Sequence, residues 1–141
     1  MLQSVNGRDY MTSNPITFTP DTNIFQAIEA LLEHKISGAT VTNSEGAVVG
    51  VISEFDCLKA ILDGSYYGQI NGTVGDYMTA NVETISADAD ILEVAKRLID
   101  GKRRRLPVIE NGKFAGQFSI RSILKAVRDF DIPDQAKKKK K

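Results

Sequence analysis

The strongest constraint on this fold is a tetrapeptide written twice. Asp9-Tyr10-Met11-Thr12 recurs as Asp76-Tyr77-Met78-Thr79, 67 positions later. The register then holds, with Thr17 against Thr84, Asp21 against Asp88, Ile24 against Ile91 and Val41 against Val108. One deletion near Asn43–Gly46 shifts the offset to 66. Beyond it Gly50 meets Gly116, Ser53 meets Ser119, and Leu58-Lys59-Ala60 meets Leu124-Lys125-Ala126. The two registers together hold 17 identities. Self-similarity at a fixed spacing means one structural unit built twice, each copy burying its apolar face with help from the other. A copy of roughly 50 residues is too small to bury much core alone.

Within each copy the hydrophobic period repeats as well. Ile24, Ala27, Ile28, Leu31 and Leu32 fall at i, i+3, i+4, i+7 and i+8, and so do Ile91, Val94, Ala95, Leu98 and Ile99. Each set is the apolar stripe of an amphipathic helix. Asn23 with Gln26 and Asp90 with Glu93 read as capping pairs at the helix starts. Short β-type stretches follow at Ala39–Thr42 and Leu106–Ile109. Turns come next at Asn43-Ser44-Glu45-Gly46 and Glu110-Asn111-Gly112. Second strands are read at Ala47–Ile52 and Lys113–Phe118, and second helices from Ser53 and Ser119. With first strands at Ile16–Thr19 and Glu83–Ser86, each copy reads β-α-β-β-α. The fold class is α/β (α+β), with two tandem repeats packed sheet to sheet. The divisions expected are repeat one over 1–62, a glycine-rich linker over 63–74 with Tyr66 and Tyr67 as an aromatic anchor, repeat two over 75–130, and a basic tail over 131–141.

Bulk properties exclude several classes. Lysines and arginines number 18 and balance 18 acids, yet five of the cations are the run Lys137 to Lys141. The body keeps 13 against 18, which argues against a nucleic-acid surface. The tail itself reads as a solvated end, with a contact to RNA or anionic lipid as the lesser reading. No apolar run approaches the ~18 residues of a membrane span, and Met1 to Tyr10 does not read as a secretory signal. The expected setting is the cytoplasm. A single cysteine, Cys57, precludes an internal disulfide, and one histidine, His34, leaves no soft-ligand zinc set. Cys57 reads as a small apolar packing residue and His34 as a surface or cap residue. No constellation supplies an acid, a base and a nucleophile together, so the chain reads as a non-enzyme with no obligatory cofactor.

The order of these motifs resembles the CBS-domain family over Arg8 to Val127. The matching residues in copy one are Asp-Tyr-Met-Thr, Asn14-Pro15-Ile16-Thr17-Phe18, Ser37-Gly38-Ala39-Thr40-Val41 and Gly50-Val51-Ile52-Ser53-Glu54-Phe55-Asp56. In copy two they are Val82-Glu83-Thr84-Ile85, Arg104-Arg105-Leu106-Pro107-Val108 and Gly116-Gln117-Phe118-Ser119-Ile120-Arg121-Ser122. The resemblance implies a tandem CBS pair with pseudo-two-fold symmetry, a stand-alone bacterial-type protein. It implies adenine nucleotide or adenosyl ligands (AMP, ADP, ATP or S-adenosylmethionine) in inter-repeat clefts. It further implies a homodimer through CBS-CBS packing and an effector protein to regulate.

The candidate residues each carry two readings. A helix starting at Ser53 offers free backbone N–H groups to a phosphate, and Asp56 can accept from two ribose hydroxyls. Gly50 permits close backbone approach. Equally, Ser53 and Asp56 are what a helix start uses for itself. The local pattern alone favours capping; joined to the resemblance, it favours a ligand. In copy two, Ser119 and Ser122 occupy the same places, and Ser122 lacks the charge of the acid. One occupied site per chain is therefore expected. Arg104 and Arg105 belong to the run Lys102-Arg103-Arg104-Arg105, readable as a phosphate clamp or as cations at a helix C-terminus. The resemblance implies that Leu106 and Pro107 line the pocket, that Thr17 and Thr84 touch base or ribose, and that Ser37, Gly38 and Ala39 pass the adenine edge. Their plainer readings are β-propensity for the threonines and a helix-exit glycine for Gly38. The alternative function is a structural dimerisation or protein-interaction module without nucleotide, motivated by Ser122.

Overall fold

Capping and periodicity set the helices where the sequence places them. In the computed structural model, residues 6–68 and 70–130 are described, the side chains of 65–67 excepted. The aromatic anchor Tyr66-Tyr67 and the lysine run of the tail thus lie outside the described side chains. Packing groups the described residues into two compact units, 15–82 with 112–114, and 6–14, 83–111 and 115–130.

The first of these units contains β1 (Thr17–Phe18), α1 (Ile24–His34), β2 (Gly38–Thr42), β3 (Val48–Ser53), α2 (Glu54–Tyr67) and α3 (Val74–Tyr77). The Asn23 side chain accepts from the N–H groups of Phe25 and Gln26 at 2.8 and 3.3 Å, which sets the α1 start. Ile24, Ala27 and Leu31 form its buried stripe. The helix ends on Lys35 in a left-handed conformation, with φ of 54°. α1 is the crossover that lets β1 lie parallel to β2, pairing Thr17 with Thr40. β2 then turns into antiparallel β3, Ala39 against Ile52. Phe18, Val41, Ile52 and Ala60 close the core with the α1 stripe.

The other unit repeats this with β4 (Ile85–Ser86), α4 (Ile91–Asp100), β5 (Arg105–Glu110), β6 (Lys113–Ser119) and α5 (Ile120–Phe130). Its sheet runs β4-β5-β6, with Ile85 paired parallel to Val108. Asp90 accepts from the Glu93 N–H at 2.9 Å, and Lys102, the counterpart of Lys35, is again left-handed with φ of 51°. Ile91, Val94, Leu106, Val108 and Phe118 are wholly buried.

Two expectations need correcting. The stretch from Asp63 is not a loose linker from its start, because α2 runs on to Tyr67. Gly64 is buried and shares a helix face with Cys57 and Ala60, so a residue without a side chain suits the packing there. Gly38 is not a helix-exit glycine. It is the first residue of β2, paired with Ser53, and Lys35 makes the exit.

The duplicated tetrapeptide has a role that its sequence position conceals. Asp9–Thr12 packs in the unit holding repeat two, and Asp76–Thr79 packs in the unit holding repeat one. Thr12 and Gln117 exchange backbone hydrogen bonds at 2.8 and 3.0 Å, and Val51 and Thr79 do the same at 3.0 and 2.9 Å. The outer edges of β6 and β3 are thereby covered. The phenol of Tyr10 donates to Asp129 at 3.2 Å, and that of Tyr77 donates to Asp63 at 2.9 Å. A 3-10 turn at Gly7–Asp9 precedes the first copy, and Arg8 there binds both Asp88 and Glu110. Gly50 is small for this reason: a Cβ there would lie 2.6 Å from the Met78 sulfur and 2.8 Å from the Thr79 carbonyl. A Cβ on Gly116 would lie 2.5 Å from the Thr12 carbonyl.

Gly50→Ala is expected to destabilise the fold by about 1–3 kcal/mol through overpacking, read from urea denaturation. The hydrogen bond to Asp63 raises the Tyr77 phenol above its ordinary value of 10.0. A raised phenol stabilises the fold below pH 10 and loses that contribution as pH climbs through the raised value. Asp63→Asn should bring one phenol down in an ultraviolet titration and leave the others in place.

Candidate functional site

The β3–α2 junction is a closed hydrogen-bond circuit. Asp56, only 6% exposed, sits in the first turn of α2. Its Oδ2 accepts from the Ser53 N–H at 2.9 Å and from the Ser53 hydroxyl at 3.0 Å. In return the Asp56 N–H donates to Ser53 Oγ at 3.2 Å. This is a full capping box. The Glu54 N–H donates to the Ser37 carbonyl at 3.0 Å. The expectation of free N–H groups at this helix start is therefore corrected. Two of the donors that would face a phosphate are already engaged, because the loop ahead of β2 runs directly beneath the helix. The second carboxylate oxygen, Oδ1, lies 3.9 Å from Lys59 Nζ, so one oxygen serves the cap and the other faces an exposed cation.

The β6–α5 junction repeats the circuit without charge. Ser122, also buried, accepts from the Ser119 N–H at 2.9 Å, and its hydroxyl donates to the Ser119 carbonyl at 2.8 Å. The Ser122 N–H donates to Ser119 Oγ at 3.2 Å. The Ile120 N–H donates to the Arg104 carbonyl at 3.2 Å, as Glu54 does to Ser37. A hydroxyl does the structural part of the task of Asp56 but brings no anion.

The structure gathers Ser37, Gly38, Ala39, Ser53 and Asp56 around the first junction. Gly38 pairs with Ser53 across β2 and β3, and Ala39 pairs with Ile52. Thr17 is exposed on β1 and pairs with Thr40, a step away from the circuit. Thr40 is fully buried, and its hydroxyl lacks a hydrogen-bond partner. Around the second junction stand Arg104, Arg105, Ser119 and Ser122, with Leu106 and Pro107 buried in β5 behind them. Thr84 immediately precedes β4.

The arginine run divides its roles. Arg103 Nε lies 3.3 Å from Glu83, which also takes Arg97 at 3.2 Å. Lys102 forms the left-handed exit of α4, its N–H donating to the Ile99 carbonyl at 3.1 Å. Arg104, like Lys102, stays exposed. His34 bonds the Ala30 carbonyl at 3.0 Å on the surface. Burial, and then the charge of Asp56, push the Cys57 thiol up, which suits an inert core residue.

Sequence reasoning missed a cavity of about 440 Å³ between α4 and α5. Its walls are Ala95, Leu98, Ile99, Ile120, Ile123 and Leu124, and its rim is Lys102, Arg103 and Arg104. The available signal was the second apolar stripe of each helix, with Ile99 at 75% and Leu124 at 62% exposure. Among the described residues, no cluster of three or more histidine, cysteine or acidic side chains could hold a metal. No described helix is long and apolar enough to cross a membrane.

Comparison with known proteins bears on this geometry. The sequence profile of the CBS domain matches residues 8–63 and 74–129. An uncharacterised protein of Methanocaldococcus jannaschii is 30% identical over 118 residues, which make up 84% of this chain and 41% of that protein. A zinc metalloprotease of the same organism is 31% identical over 137 residues, 97% of this chain and 36% of the protease. The chain thus spans less than half of either relative. Among solved structures, Arabidopsis thaliana CBSX2 in complex with AMP is 27% identical with a TM-score of 0.81, covering 91% of this chain and 99% of that one.

Ser53→Ala opens the capping circuit and is expected to lower stability by about 0.5–2 kcal/mol, read from chemical denaturation without ligand.

Proposed function

The chain belongs to the CBS-domain family, and from that premise we propose that it is a non-catalytic regulatory module binding an adenine nucleotide or related adenosyl ligand. AMP, ADP, ATP and S-adenosylmethionine are the ligands to test. The observation that carries this reading is the buried Asp56 carboxylate. One of its oxygens is committed to Ser53, and the other faces Lys59 Nζ 3.9 Å away among the described residues. An anion held in place by a cap is an acceptor already oriented for ribose hydroxyls. The likeness to CBSX2 with AMP supports the same ligand class. Binding at the Asp56 junction, rather than at both, follows from the neutral Ser122. Arg104 is the proposed phosphate contact, and Thr17, Gly38 and Ala39 the proposed contacts to base and sugar. Ligand occupancy then shifts the populations of the module and is read by an effector protein. A cytoplasmic setting and pairing with a second copy complete the proposal.

A second reading has an observation of its own. Two N-terminal N–H groups of α2 are engaged within the protein, and Ser122 removes the charge from the other junction. A structural or interaction module that keeps the fold without nucleotide would look like this at its helix starts. A stable partner captured equally with and without nucleotide would favour it.

Isothermal titration with the four ligands should give heat with at least one. Asp56→Asn keeps an oxygen to accept from Ser53 and loses the charge, so it should weaken binding about tenfold while barely moving stability. Neither heat nor thermal shift with any of the four overturns the proposal. Unchanged affinity in Asp56→Asn overturns the role of that residue.

A further inference from the structure

A phosphate beside the β3–α2 junction needs more positive charge than the helix start offers. The Glu54 N–H is engaged by the Ser37 carbonyl at 3.0 Å, and the Asp56 N–H by Ser53 Oγ at 3.2 Å. The charged side chains of that first turn are acids, Asp56 buried and Glu54 exposed. Left to themselves, these carboxylates repel a phosphate and attract a cation. One side chain offsets the buried carboxylate. Lys59 follows Asp56 by three positions on the same face of α2, and its Nζ lies 3.9 Å from Asp56 Oδ1. Asp63, one turn further along, instead accepts from the Tyr77 phenol at 2.9 Å.

This lysine suits a charge that follows a ligand rather than one that bars it. Its side chain is 71% exposed, whereas that of Asp56 is 9% exposed. An ion pair with one partner in water is held weakly, so ribose hydroxyls can take Oδ1 from it at little cost. The ammonium rides on a flexible four-carbon stem and stays beside the sugar once displaced. What hangs from that sugar then decides the sign of the interaction. A 5′-phosphate carries about 1.5 to 2 negative charges at neutral pH and is attracted. The sulfonium of S-adenosylmethionine is a cation and is repelled. We propose that Lys59 is the specificity-determining residue of this site, selecting a 5′-phosphorylated adenine nucleotide over a cationic adenosyl ligand. The inference rests on the adenosyl reading of Asp56 and deepens it. The second junction supplies an internal comparison. Lys125 stands three positions after Ser122 and is also exposed, but no carboxylate occupies the place of Asp56. There the cation is kept without the charged ribose acceptor, so Lys125 does not set the selectivity.

Isothermal titration of the full chain with AMP, ADP, ATP and S-adenosylmethionine tests it. The native chain should prefer a phosphorylated ligand. Lys59→Met should lower the affinity ratio of the tightest phosphorylated ligand to S-adenosylmethionine about tenfold. Lys59→Arg keeps the charge and should hold the native ratio, and Lys125→Met should leave it unmoved. An unchanged ratio in Lys59→Met, or an equal fall in Lys125→Met, overturns the role of Lys59 and leaves the adenosyl reading standing. A fall in Lys59→Arg as large as in Lys59→Met does the same, because charge would then not be the cause. A native chain that prefers S-adenosylmethionine also overturns it. No binding of any of the four ligands by the native chain overturns the adenosyl reading itself, and this inference with it.

Discussion

Everything in this fold depends on the backbone pairing of the duplicated tetrapeptide with the outer edge of a β-hairpin. Thr12 with Gln117 and Thr79 with Val51 are two-bond exchanges on the last strand of each sheet. An exposed strand edge is a site for unwanted association, and here each edge is filled by the segment that opens the other repeat. The cost is local crowding, which the glycines at 50 and 116 relieve. Tyr10 reaches Asp129 in α5 and Tyr77 reaches Asp63 in α2, and each contact fastens the segment at its other side. The same strand that accepts the segment ends at the helix junction, so the position of Ser53 and Asp56 follows from this pairing.

The junctions show how one circuit can be built with and without charge. Asp56 and Ser122 do equivalent structural work, each accepting from the serine N–H three positions earlier. Only the carboxylate has an oxygen left over for another partner. The two copies diverge outward as well: Phe55 and Leu62 on α2 become Arg121 and Arg128 on α5. Inside, the repeats stay alike because their cores pack alike. Outside, nothing in the fold requires them to match, and there they have separated in charge and shape.

Much of the fold was legible because its signals are local. Asn23 and Asp90 cap helices whose apolar stripes read directly from spacing, and the strands that follow are found within a residue or two. The places where the sequence misled are places where packing outvotes composition. Gly64 looked like the start of a linker, yet it lies buried on a helix face of small residues. Gly38 looked like a helix exit, while Lys35 and Lys102 make that turn in a conformation usually left to glycine. The candidate site was legible as a set of residues. Its internal hydrogen bonding was not, since a capping serine and a ligand-binding serine have the same spelling.

Sequence alone determined that this chain is one β-α-β-β-α unit made twice, with its helix caps, its strands and the difference between Asp56 and Ser122. These follow from periodicity, propensity and side-chain chemistry, all of which act over a few residues. Only the tertiary structure decided which repeat each tetrapeptide serves, why Gly50 and Gly116 must be small, and that Asp56 gives one oxygen to its own helix. It also decided that α4 and α5 flank an open apolar groove where α1 and α2 carry phenylalanines. Those facts arise from contacts between residues far apart in the chain, where what a side chain does is set by what it meets.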